Sequence, residues 1–82
     1  MISKEIDLYD LVKVTEDLPH NCLKKNMVGT VIHIYKPNRI FEIEFPTTDG
    51  LTFCIETLEA FSIEKLSYDE TVNFKQLIIT TV

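Results

Sequence analysis

Apolar and polar residues alternate with a period of two through the middle of the chain, which predicts half-buried strands. Within residues 27–35, Val28, Thr30, Ile32 and Ile34 share one face, and Val31, His33 and Tyr35 share the other. Within 40–45, Phe41, Ile43 and Phe45 alternate with Ile40, Glu42 and Glu44. Within 51–56, Leu51, Phe53 and Ile55 alternate with Thr52, Cys54 and Glu56. Residues 8–14 predict a first strand, with Leu8, Val12 and Val14 on even positions and Tyr9 and Leu11 making the other side apolar too. Residues 61–66 predict a last short one.

Turn lengths then set a register. With 36–39 as a loop, Tyr35 faces Ile40, Ile34 faces Phe41 and Ile32 faces Ile43. With 46–50 as the next loop, Phe45 faces Leu51 and Ile43 faces Phe53. Both choices set apolar against apolar. A slip of one residue would set carboxylates against isoleucines, because register and face are coupled.

Residues 15–26 carry a proline, asparagines and charges, the chemistry of a loop. A loop this long in a compact domain is often functional or folded back on itself. The chain has only two glycines, and one of them, Gly29, stands at the entrance to the most regular strand. Glycine there allows a bulge, a kink or a close backbone crossing. Asn26 tolerates the left-handed conformation that ends the loop, and Gly50 closes "TTDG" as a hairpin turn. Five short strands and one long early loop predict an all-β fold, a small and strongly bent antiparallel barrel over residues 1–66. Residues 67–82 form a C-terminal extension.

The 82 residues suit one domain, and a chain this short leaves no room for a core plus a deep substrate cavity. A net charge of −5 works against nucleic acid, whose affinity rests on neutralised phosphates. Lys24 and Lys25 are the only adjacent basic pair. The acidic surface suits solubility and a basic partner. The first residues, "MISKEIDLYDLVKV", resemble neither a signal peptide nor a membrane span. The expected location is therefore cytoplasmic, with Cys22 and Cys54 as free thiols.

"DLYDLVKVTEDLP", "LKKNMVGTVIHIY", the "EIEF" strand, a "DG" turn and a last strand ending in "EKL" together resemble a family of short bacterial proteins, the domain of unknown function 4926. The likeness covers about residues 6–66. Its most specific parts are "VTEDLP" (14–19) and "VGTVIHIY" (28–35). It implies an SH3-like barrel and no known activity, so it carries no catalytic residue onto this chain. Asn26 stands where the family is expected to have glycine. "VGTVIHIY" is also similar to strands of SH3-like modules of the ribosome, of transcription and of photosynthetic electron transfer. That likeness concerns the fold, which does not fix function.

The expected register places His33, Glu42 and Cys54 in a row across three strands. These are capable ligands, and a histidine beside a carboxylate is a catalytic pairing. A convex sheet offers nothing to exclude water, so the favoured reading is a solvent-facing polar pair beside a small apolar residue, with no metal and no cofactor. His20 and Cys22 sit together in "PHNC" beside Lys24 and Lys25, and the favoured reading there is a loop tip with a free thiol. Tyr9 and Tyr35 are candidate aromatic contacts for a peptide. They either serve that role or pack beneath the loop or the tail.

In the tail, "SYDE" has the form of a helix capping box, and Phe74, Leu77 and Ile78 would share a helical face. The β-branched "LIITTV" favours a strand instead. The expectation is a strand that covers an open edge of the barrel, in its own chain or in a homodimer, with pairing to a partner protein as a further alternative. The reading overall is a non-enzymatic protein–protein interaction module that restrains or accompanies a partner, as antitoxins and immunity proteins do. Its candidate contacts are Tyr9, Asp17, His20, His33, Tyr35 and Glu42. A nucleic-acid or ribosome-associated barrel is the alternative. A membrane partner is not expected.

Overall fold

A computed structural model describes residues 5–46 and 53–81. The expected "PTTDG" turn, with Gly50, Leu51 and Thr52, lies outside them. Among the described residues five strands follow one another: β1 (Leu11–Val14), β2 (Val28–Lys36), β3 (Ile40–Pro46), β4 (Phe53–Glu59) and β5 (Ile63–Lys65). A helix, α1 (Tyr68–Thr81), follows β5. The strands form one antiparallel sheet in the order β4-β3-β2-β1-β5. The all-β fold of about five antiparallel strands with an extra C-terminal segment is as expected. The sheet is barrel-like but not closed, because β4 and β5 do not pair. A 3-10 turn, Ala60–Ser62, carries the chain between them instead.

Among the described residues the core is a cluster that includes Val12, Val14, Leu23, Val31, Phe41, Ile43, Phe45, Leu58 and Ile63. Phe41, Ile43 and Phe45 are completely buried, as the alternation in β3 predicts. β2 departs from its own alternation. Val31 pairs with Ile43 and His33 with Glu42, so Ile32 is an extra residue between them. Such a bulge sets two residues against one and reverses the faces beyond it. Val31, expected on the outer face, is therefore buried in the core, while Ile34 packs against the core and His33 and Tyr35 stay exposed. A second irregularity pairs Ile40 with Lys36 rather than Tyr35. The expected His33–Glu42 and Ile34–Phe41 pairs both form.

The β3–β4 register differs by three residues from the expected one. Ile43 faces Glu56, Phe45 faces Cys54 and Phe41 faces Leu58. An odd slip exchanges the faces of β4. Leu58 is thus in the core and Ile55 is 54% exposed. A carboxylate opposite an isoleucine is tolerated because Glu56 is hydrogen-bonded, by Asn21 Nδ2 at 3.0 Å and by Cys54 Sγ at 3.4 Å.

Gly29 is buried, and its role is close packing. A Cβ there would lie 2.6 Å from Ile43 Cγ2 and 2.8 Å from two ring carbons of Phe45. The strand that pairs with both β1 and β3 must pass directly over these core side chains. The 15–26 loop folds back on itself. Leu18 and Leu23 exchange backbone hydrogen bonds of 2.9 and 3.1 Å around a 3-10 turn, Pro19–Asn21, and Leu23 joins the core. Asn26 has φ 74°, the left-handed conformation expected of it, and its amide donates to Val14 O at 2.8 Å.

The expected edge-covering strand in the tail is overturned, since residues 68–81 are helical. Ser67 and Glu70 form a reciprocal capping box, with Ser67 N donating to Glu70 Oε1 at 2.9 Å and Glu70 N to Ser67 Oγ at 3.1 Å. The Lys13–Glu70 ion pair ties that first turn to β1. Cap chemistry and a tertiary anchor outweigh the β-branched run, as tertiary context commonly does.

Candidate functional site

The sheet brings three candidate residues together on its outer face. His33 lies opposite Glu42 in the β2–β3 ladder. His33 and Tyr35, two residues apart on β2, are both exposed on this face. Their rings meet edge to face, with centroids 4.5 Å apart and planes at 69°. The Tyr35 hydroxyl donates to Glu42 Oε2. That hydrogen bond, more than burial or charge, raises the phenol above its ordinary 10.0. Tyr35 remains 51% exposed. The patch is an exposed aromatic surface with a carboxylate beside it, carried on paired strands.

Cys54 does not complete the expected row. Glu42 faces Thr57, and Cys54 lies opposite Phe45, on the other face. Its thiol donates to Glu56 Oε1, which chiefly raises it above 9.0, with desolvation and the nearby charges of Glu56 and Cys22 adding to the shift. A thiol held protonated in this way is a poor nucleophile. Among the described residues no group of three or more His, Cys, Asp or Glu is placed to hold a metal ion.

The other candidates lie apart from the patch. Tyr9 is 71% exposed with φ 70°, and its amide donates to Val31 O at 2.7 Å. It lines an open cleft of about 430 Å³ with Leu66 and Phe74, between the entry to β1 and the helix. Asp17 Oδ1 accepts from Lys25 N at 2.9 Å, so it closes the 15–26 loop. His20 is exposed in the 3-10 turn. Among the described residues no hydrogen bond or ring contact links these three to His33, Tyr35 or Glu42.

Two features escaped the sequence reading. One is the Asn21–Glu56–Cys54 network, which joins the loop to the inner face of β4. A single asparagine in a loop gives no signal of a partner 35 positions away. The other is the charge of the outer β3–β4 face, where Glu42, Glu44 and Glu59 occur without a lysine or arginine in either strand. That signal is readable once the two strands are known to pair along their full length.

No described helix is long and apolar enough to cross a membrane. Neither a curated protein nor a solved structure matches the chain. A family model does match, over residues 8–65, from the turn before β1 to the end of β5, and the chain belongs to the family described as Domain of unknown function (DUF4926).

Proposed function

We propose that the protein is a non-enzymatic protein–protein interaction module that restrains or accompanies its partner. The observation that carries this reading is the His33–Tyr35–Glu42 patch. Aromatic side chains that are half exposed yet fixed by neighbours lose little entropy on contact, which is why such residues anchor interfaces. Tyr35 is fixed by Glu42 on one side and by the His33 ring on the other. The neighbouring carboxylates of β3 and a net charge of −5 favour a partner surface with basic groups.

Affinity capture with the tagged full-length chain, from a lysate of its own organism, tests the reading beside a Tyr35→Ala variant. A protein retained by the parent and lost with Tyr35→Ala supports it. Equal retention removes the patch from the interface. Nucleic acid retained at low salt in place of protein overturns the reading.

A further inference from the structure

The two edges of the sheet differ in kind. β5 is three residues long, and its Lys65 pairs with Asp10 at 3.2 Å. β4 is seven residues long and pairs with β3 in an unbroken register from Phe53 to Glu59. Among the described residues no strand pairs with its far side. Natural edge strands are blunted by shortness, proline, lysine or bulges. Phe53–Glu59 contains no proline, lysine or bulge, and its charged residues are the carboxylates Glu56 and Glu59.

Resting on the interaction reading above, we propose that β4 receives an extended segment of a partner protein as a sixth strand, with basic residues alternating along it. Unpaired backbone groups on a straight edge supply the main-chain hydrogen bonds of strand addition, and side chains of alternate residues supply selectivity. The outer face of β4 presents Ile55, Thr57 and Glu59, all exposed. Ile55 faces Glu44 on β3. A lysine on the incoming strand beside Ile55 lays its methylene stem over that side chain and extends its ammonium group toward Glu44, as long basic side chains do on apolar surface. A second basic residue meets Glu59 directly.

Charge also decides against a second copy of this chain as the occupant. A β4–β4 pairing would bring Glu56 and Glu59 of one copy close to those of the other, with no basic residue on β3 or β4 of either to compensate. Like charges on neighbouring strands destabilise the pairing.

The test is an NMR titration of the isotope-labelled full-length protein with a synthetic seven-residue peptide of alternating valine and lysine. A valine–glutamate peptide serves as the control. The expected result is shift changes concentrated on the amides of Phe53–Glu59, with slowed hydrogen exchange along the free edge. Binding should weaken as salt rises, and the valine–glutamate peptide should leave the spectrum unchanged. Lysine is a natural edge blocker, so Ile55→Lys should weaken binding about tenfold, and Glu59→Lys should act in the same direction. Both positions are exposed, so an unchanged melting curve checks that each variant folds.

No binding of the valine–lysine peptide overturns the proposal. Shift changes confined to His33, Tyr35 and Glu42 overturn it too, while leaving the interaction reading in place. Concentration-dependent self-association that Ile55→Lys abolishes would make a second copy the occupant and also overturn it.

Discussion

Lys13 on β1 and Glu70 in the first turn of α1 form an ion pair that fastens the C-terminal helix to the sheet. Glu70 serves two elements at once, since the same carboxylate caps the helix through Ser67. The pair and the cap hold the Glu70 carboxyl at about 2, well below its ordinary 4.5, with the Lys13 hydrogen bond as the largest cause. Lys13 is raised above 10.5 by the same contact.

The signs follow from linkage. The folded-state carboxyl is depressed, so its stabilising effect is complete above pH 4.5 and is lost as pH falls toward about 2. The lysine is raised, so its share is present below 10.5 and is lost only at higher pH. We expect the helical circular-dichroism signal to fall over the acid window while β-sheet amides stay protected. Glu70→Gln keeps a capping box and removes the charge, so that variant should lose most of the acid dependence. An unchanged acid profile in Glu70→Gln would refute the assignment. The pair is partly exposed, so added salt should weaken it.

Gly29→Ala should destabilise the fold by about 1–3 kcal/mol, the usual effect of overpacking a filled core. The new methyl would meet Ile43 and Phe45 well inside contact distance. Urea denaturation at constant slope reads the change. A midpoint equal to that of the parent would show that these side chains move aside freely.

Sequence alternation was reliable on a strand that carries no extra residue of its own. β3 is such a strand, and Phe41, Ile43 and Phe45 lie where the period places them. It failed on β2 because one extra residue, Ile32, exchanges the faces between Val31 and His33. Nothing local distinguishes a bulged isoleucine from a paired one. The β4 register departs from the apolar-on-apolar expectation because a carboxylate sits on the inner face. Glu56 does so with the help of Asn21, a long-range contact. At the site the His33–Glu42 pair is legible, Tyr35's bond to Glu42 is a side-chain choice that the pattern does not specify, and Cys54 moves with the register. In the tail both signals were visible, and the capping box prevailed over the β-branched run.

Ser67→Ala should detach the helix more than the sheet. It removes the hydroxyl that accepts from Glu70 N. Loss of an N-cap costs about 0.5–2 kcal/mol, and a helix of 14 residues is marginal without such support. We expect a lower helical signal at 25 °C together with a melting transition of the sheet close to the parent's. A matching loss of both would show that α1 and the sheet fold as one unit.

Glu56 gives a chemical readout of the β4 register. Its carboxylate accepts from the Cys54 thiol and from Asn21, and it is the main cause of the raised Cys54 pKa. Glu56→Gln keeps an acceptor for Asn21 but removes the negative charge. The thiol should then ionise more readily, so alkylation of Cys54 by iodoacetamide at pH 8 should speed up, as thiolate reactivity requires. Mass spectrometry of the alkylated peptides separates Cys54 from Cys22. In the register expected from sequence, Glu56 and Cys54 would belong to an outward-facing row with no contact to Asn21, and the rate at Cys54 would not depend on the loop. The observed register instead predicts that Asn21→Ala also alters the rate, because Glu56 loses one of its two donors and turns more fully to the thiol. Its effect should be opposite in sign to that of Glu56→Gln, with Cys54 alkylated more slowly than in the parent.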